Sequence, residues 1–85
     1  MDAVSRHNRT MRLLEARLEA LAFASERAPV SARRFERQIV AAVAATRHAI
    51  ALELITSEEA GALWAGVAKR HPAATWCQAG PGLAA

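Results

Sequence analysis

The 85-residue chain carries 11 Lys and Arg against 8 Asp and Glu, a formal net charge of +3, and 53% of it is hydrophobic. That length holds one small domain with a marginally sufficient core. The 22 alanines add little apolar area to it, which leaves the work to a thin set of bulky residues such as Leu14, Leu18, Leu21, Phe35, Ile39, Ile50, Leu63 and Trp64.

The single cysteine, Cys77, excludes a disulfide within the chain and argues for a reducing, cytoplasmic setting. Gln38 to Thr46, the longest uncharged stretch before the tail, is too short for a membrane span. Arg6, Arg9 and Arg12 stand without the apolar run of a secretory signal.

Asp2 is placed to accept hydrogen bonds from free amides at the start of a helix over 3–27. Within it Val4, Met11, Leu14, Leu18, Leu21 and Ala22 fall on one side when each residue is advanced by about 100°. Arg6, Arg9, Arg17 and Arg27 lie opposite, around an off-face Leu13, and Glu15, Glu19 and Glu26 form an acidic flank. Ala28-Pro29-Val30 interrupts this pattern, because proline lacks a backbone donor and disfavours helix at the residue before it.

A second helix is expected over 32–54, capped by Ser31, with Val30 packing on Phe35 as a staple. Its inward face reads Phe35, Ile39, Ala42, Val43, Thr46, Ala49, Ile50 and Leu54; its outer side reads Arg33, Arg37, Ala41, Ala44, His48 and Ala51.

Thr56 and Glu59 have the spacing of a capping box for a third helix over 57–71, with Glu58 and Glu59 in its positively polarised first turn and Lys69 and Arg70 at its end. Ala60, Leu63, Trp64, Val67, Ala68 and His71 make its apolar face. Gly61 and Gly66 each cost about 1 kcal/mol relative to Ala, which predicts a helix that relies on tertiary contacts or a close neighbour and is less stable than the first two. Pro72 stops it, and residues 72–85 read as a tail whose Trp76 folds back as a lid. Short connections between consecutive helices give an all-α, up-down-up three-helix bundle forming one domain.

No motif for chemistry emerges. His7, His48 and His71 sit on three helices without the paired spacing of zinc ligands, and Cys77 has no neighbouring base to activate it. Glu58 and Glu59 point about 100° apart, and helix capping accounts for both. Phosphate loops and dinucleotide fingerprints are absent. The expectation is a protein that is not an enzyme and has no catalytic residue, metal or cofactor.

Ten of the eleven cations are Arg, a residue suited to phosphates and carboxylates. Arg6, Arg9, Arg12 and Arg17 crowd the first helix, and Arg33, Arg34 and Arg37 crowd the start of the second. Nucleic-acid binding through these seven is the alternative function, weakened by the lack of interleaved aromatic residues for stacking. The leading expectation is a partner surface for a protein, with a homodimer as a variant. It comprises Arg33, Arg37, Ala41, Ala44 and His48, because small residues let another helix approach, together with Trp64 and Trp76 as interface anchors.

Arg34-Phe35-Glu36-Arg37 followed by Ile55-Thr56-Ser57-Glu58-Glu59-Ala60 resembles the helical module of nitrile hydratase β-subunits and their accessory proteins. There a Phe- and Glu-containing helix precedes one that opens with a Val/Ile-Thr-x-Glu-Glu turn. The aromatic segment between those helices is missing here and the spacing is shorter. The resemblance implies a subunit or chaperone of a metalloenzyme without ligands of its own. The function expected from the residues themselves is a small non-catalytic helical subunit, adaptor or inhibitor, and its size also suits an inhibitor of a host complex encoded by a phage or mobile element.

Overall fold

In the computed structural model, which describes residues 2–27 and 32–78, the Asp2 carboxylate accepts the Ser5 amide at 2.7 Å and starts helix α1, Ala3–Arg27. That bond stabilises the ionised form and lowers the Asp2 pKa. Helix α2 spans Ala32–Ala51 and α3 spans Ser57–Arg70; a single further turn, α4, covers Thr75–Gln78. The expected Ser31 cap and the Val30 staple lie outside the described residues.

The helices form the expected all-α bundle. The start of α1 lies beside Leu52–Leu54 and its later turns beside Arg37 and Gln38, so α1 and α2 are antiparallel. His7 meets Glu59 near one end and Glu19 meets His71 near the other, so α1 and α3 run parallel.

The α3 start follows the sequence reading closely. Thr56 Oγ1 accepts the Glu59 amide at 3.1 Å while the Glu59 carboxylate accepts the Thr56 amide at 2.9 Å. Ala60, Leu63, Trp64, Val67 and Ala68 are all buried and meet Leu14, Leu18, Leu21 and Ala22 of α1. Among the described residues of α2, only Ala42, Thr46 and Ala49 are buried. Trp64, 1% exposed, is the largest buried side chain, and its indole N–H donates to Thr46 Oγ1 at 3.2 Å. Thr46 in turn donates to the Ala42 carbonyl at 2.8 Å.

After Pro72 the chain folds back, as expected of a lid, and Trp76 makes edge contacts with Phe35 at 6.1 Å and Trp64 at 5.8 Å between ring centroids. Its indole nitrogen is buried without an acceptor, so Trp76 is held by ring packing, while the Ala74 and Cys77 amides bond the His71 and Ala74 carbonyls at 2.9 and 3.0 Å to close the turn.

Two expectations are corrected. The second helix ends at Ala51, not at 54: the Leu54 amide bonds the Ala49 carbonyl and the Glu53 amide bonds the Ile50 carbonyl, both at 2.9 Å, a Schellman stop with Glu53 at φ 59°. Val4 is 68% exposed, because it lies a full turn before His7, whose partner Glu59 already belongs to the first turn of α3. Of the two supports expected for a helix containing Gly61 and Gly66, α3 has the tertiary contacts of its buried face and not a close neighbour. A Cβ at Gly61 would meet nothing within 4 Å, and one at Gly66 would meet only the end of the Arg70 side chain at 3.5 Å.

Among the described residues the left-handed position is thus held by Glu53, while Gly61 and Gly66 are helical. Glu53→Gly is expected to stabilise the fold by about 1 kcal/mol through relief of strain, and Gly61→Ala by about 0.5–1 kcal/mol through a lower unfolded-state entropy. Urea denaturation midpoints check both; a loss of stability in either variant contradicts the assigned backbone.

Candidate functional site

The residues with catalytic potential are tied into the structure. Cys77 is 1% exposed, and burial pushes its thiol up to about 11, so it lacks the thiolate that nucleophilic chemistry needs. Both ring nitrogens of His71 face carboxylates, Nε2 to Glu19 at 2.6 Å and Nδ1 to Glu26 at 3.2 Å. A carboxylate only accepts, so the ring holds both as an imidazolium, and its pKa is raised chiefly by the Glu19 bond. Glu19 also accepts from Arg70 Nε at 2.6 Å, and its own pKa is lowered, first by His71.

At the other end of α3, His7 bonds Glu59, which raises the histidine pKa; Glu59 is lowered, first by the Thr56 amide and then by His7. These are clasps that hold α3 to α1. His48 stands apart on the exposed side of α2. Among the described residues no group of three His, Cys, Asp or Glu is placed to hold a metal ion, and no helix is long and apolar enough to cross a membrane.

The surface that remains lies on α1 and α2. Arg37, Ala41, Ala44 and His48, read from the sequence as a partner face, fall within one outward arc of α2, with Ala41 half-buried and the other three exposed. The Arg33 and Arg34 side chains lie outside the described residues.

Two concavities border that arc. One, of about 760 Å³, is a trough between Arg17, Ala20, Leu21 and Ala24 of α1 and Arg37, Gln38 and Ala41 of α2. The other, of about 490 Å³, runs along α2 past Val40, Val43, Ala44, Arg47, His48 and Ala51. No carboxylate lines either one, and among the described residues Arg17, Arg37 and Arg47 have no ion-pair partner. Val40 at 66% exposed and Leu13 at 64% add uncovered apolar area.

Two residues read as interface anchors are not on this surface. Trp64 is inside the core and Trp76 is half-buried between Phe35 and Trp64, because a bundle with so few bulky residues needs both indoles internally. The arginines read as a nucleic-acid site share a face only in part: Arg6, Arg9 and Arg17 lie on one side of α1, and Arg17 and Arg37 line one trough. Arg6, Arg9, Arg12, Arg17 and Arg37 are exposed, but Arg12 lies about 120–140° round α1 from Arg6 and Arg17.

The sequence reading missed the α1 wall of the trough. Arg17, Ala20 and Ala24 carry the signal, since their helical spacing marks a second, small-residue face beside the core stripe.

Comparison with known proteins finds no family model, no curated protein and no solved structure that matches the chain. The resemblance to nitrile hydratase modules rests on 34–37 and 55–60 alone.

The clasps make stability depend on pH. The contribution of His7 and His71, whose folded pKa values are raised, is complete below the ordinary 6.5 and is lost as pH rises through the raised values. The contribution of Glu19 and Glu59, whose values are lowered, is complete above 4.5 and is lost as pH falls through the lowered values. Melting temperature should therefore peak between these limits and decline on the alkaline side. The decline should be modest because the pairs are partly solvated, and smaller in His7→Gln/His71→Gln. An equal alkaline decline in that double variant contradicts the clasps.

Proposed function

We propose that this chain is a small non-catalytic binding protein that engages a larger protein through the uncovered face of α2 and the adjoining trough, as a subunit, adaptor or inhibitor. One observation carries the reading. The side of α2 turned away from the bundle combines exposed Val40 and Ala44 with Arg37, Arg47 and His48, beside concavities that contain no carboxylate.

Small side chains let another backbone come close, while unpaired arginines on the rim favour orientation and rate of encounter. Burying the same apolar atoms inside the monomer, the simplest alternative use for them, is already accomplished by the opposite face through Ala42, Thr46 and Ala49. Duplex DNA or RNA is the second reading. It is supported by Arg6, Arg9 and Arg17 on one side of α1 and weakened by Arg12, which lies about 120–140° round the helix from Arg6 and Arg17.

Ala44→Arg tests this. Ala44 is exposed, so the substitution should leave helicity and melting temperature nearly unchanged while weakening partner binding by about tenfold or more, since an added charge at an interface centre is poorly tolerated. Pull-down from the native host with both forms, followed by mass spectrometry, should show proteins retained by the wild type and lost by the variant. Recovery of nucleic acid without any such protein contradicts the proposal.

A further inference from the structure

The trough between α1 and α2 has a more specific character than a general docking face, and its chemistry narrows the occupant. It is lined by Ala20, Leu21 and Ala24 of α1 and Ala41 of α2, with Arg17 on one helix and Arg37 and Gln38 on the other. Both arginines are exposed, and neither has a carboxylate partner among the described residues.

We infer that this trough takes an amphipathic helix of a protein partner, its apolar stripe on the alanines and its carboxylates paired with Arg17 and Arg37. The inference rests on the partner-binding reading above and names the occupant. Three arguments favour it. Alanine on both walls permits the close backbone approach that a third helix requires, and a volume of about 760 Å³ leaves room for several of its side chains. Arginines contributed by both helices that line the trough match acids on both flanks of one helix, in bidentate contacts that a neutral partner cannot make.

A second copy of this chain is a poor fit. On the acidic flank of α1, Glu19 is engaged with Arg70 and His71 and Glu26 with His71, which leaves Glu15, and the only charged residues the trough itself offers a second copy are arginines. A nucleic acid is also disfavoured, because the apolar lining is alkyl and no aromatic side chain belongs to it for stacking.

The test is selection of 20-residue peptides from a random helical library on the full-length protein, with affinity by fluorescence anisotropy and the site by amide shift changes. Selected peptides should carry Asp or Glu on both sides of an Ala/Leu stripe and shift Ala20, Ala24 and Ala41. Arg17→Glu/Arg37→Glu should weaken them by about tenfold or more at an unchanged melting temperature, and a peptide with Lys in place of those acids should regain affinity for the double variant.

Peptides without acidic enrichment, shift changes confined to other surfaces, failure of the charge swap, a dimer closed through this trough, or tighter binding of a 20-base-pair duplex each overturn the inference. If only the charge variants fail to matter while Ala44→Arg still abolishes partner capture, the partner-binding reading stands and its occupant is wrong.

Discussion

The hydrogen bond from the Trp64 indole to Thr46, buried between α3 and α2, is the interaction around which the bundle is organised. An alanine-rich chain has few side chains large enough to span the gap between three helices, and the largest buried one must occupy the centre. An indole brings a donor with it, and a buried donor without a partner costs about 1–3 kcal/mol. Thr46, the one buried polar side chain among the described residues of α2, supplies the acceptor and keeps its own proton occupied on the Ala42 carbonyl. Trp76 then closes the same side by ring contact, linking α4, α3 and Phe35 of α2.

What apolar burial cannot supply between α1 and α3, charged clasps at the two ends supplement. His7 with Glu59, and Arg70 and His71 with Glu19 and Glu26, register α3 against α1. The C-terminal set also places cations at the negative end of the α3 dipole. This arrangement uses Glu19 and Glu26 of the acidic flank of α1 internally and leaves Arg17, Arg37 and Arg47 without an ion-pair partner among the described residues. The polarity of the outer surface, basic and apolar on one side, is thus a by-product of how the bundle is held together, and it is what makes that side suited to an acidic partner.

The sequence revealed the elements whose signals are local. The Asp2 start, the Thr56–Glu59 capping box and the buried face of α3 each depend on residues within a few turns of one another, and all three are as read. The end of α2 was hidden because Glu53, not glycine, takes the left-handed position, so periodicity ran on to Leu54. The two tryptophans suited either a core or an interface by type alone, and only the tertiary count of bulky residues decides for the core. The histidine–glutamate clasps join residues 52 positions apart, beyond any spacing rule, and the trough exists only once α1 and α2 are set antiparallel. The outer arc of α2 was legible because it is the complement of the core stripe on a single helix.

The account turns on Thr46 as the acceptor for a buried indole, and Thr46→Val tests it most directly because the shape is kept and only the hydroxyl is lost. Equilibrium urea unfolding should show the variant folded and less stable by about 1–3 kcal/mol, with tryptophan fluorescence reporting an altered indole environment. Unchanged or increased stability would show that the Trp64 donor does not depend on Thr46, and would contradict a bundle organised around that bond.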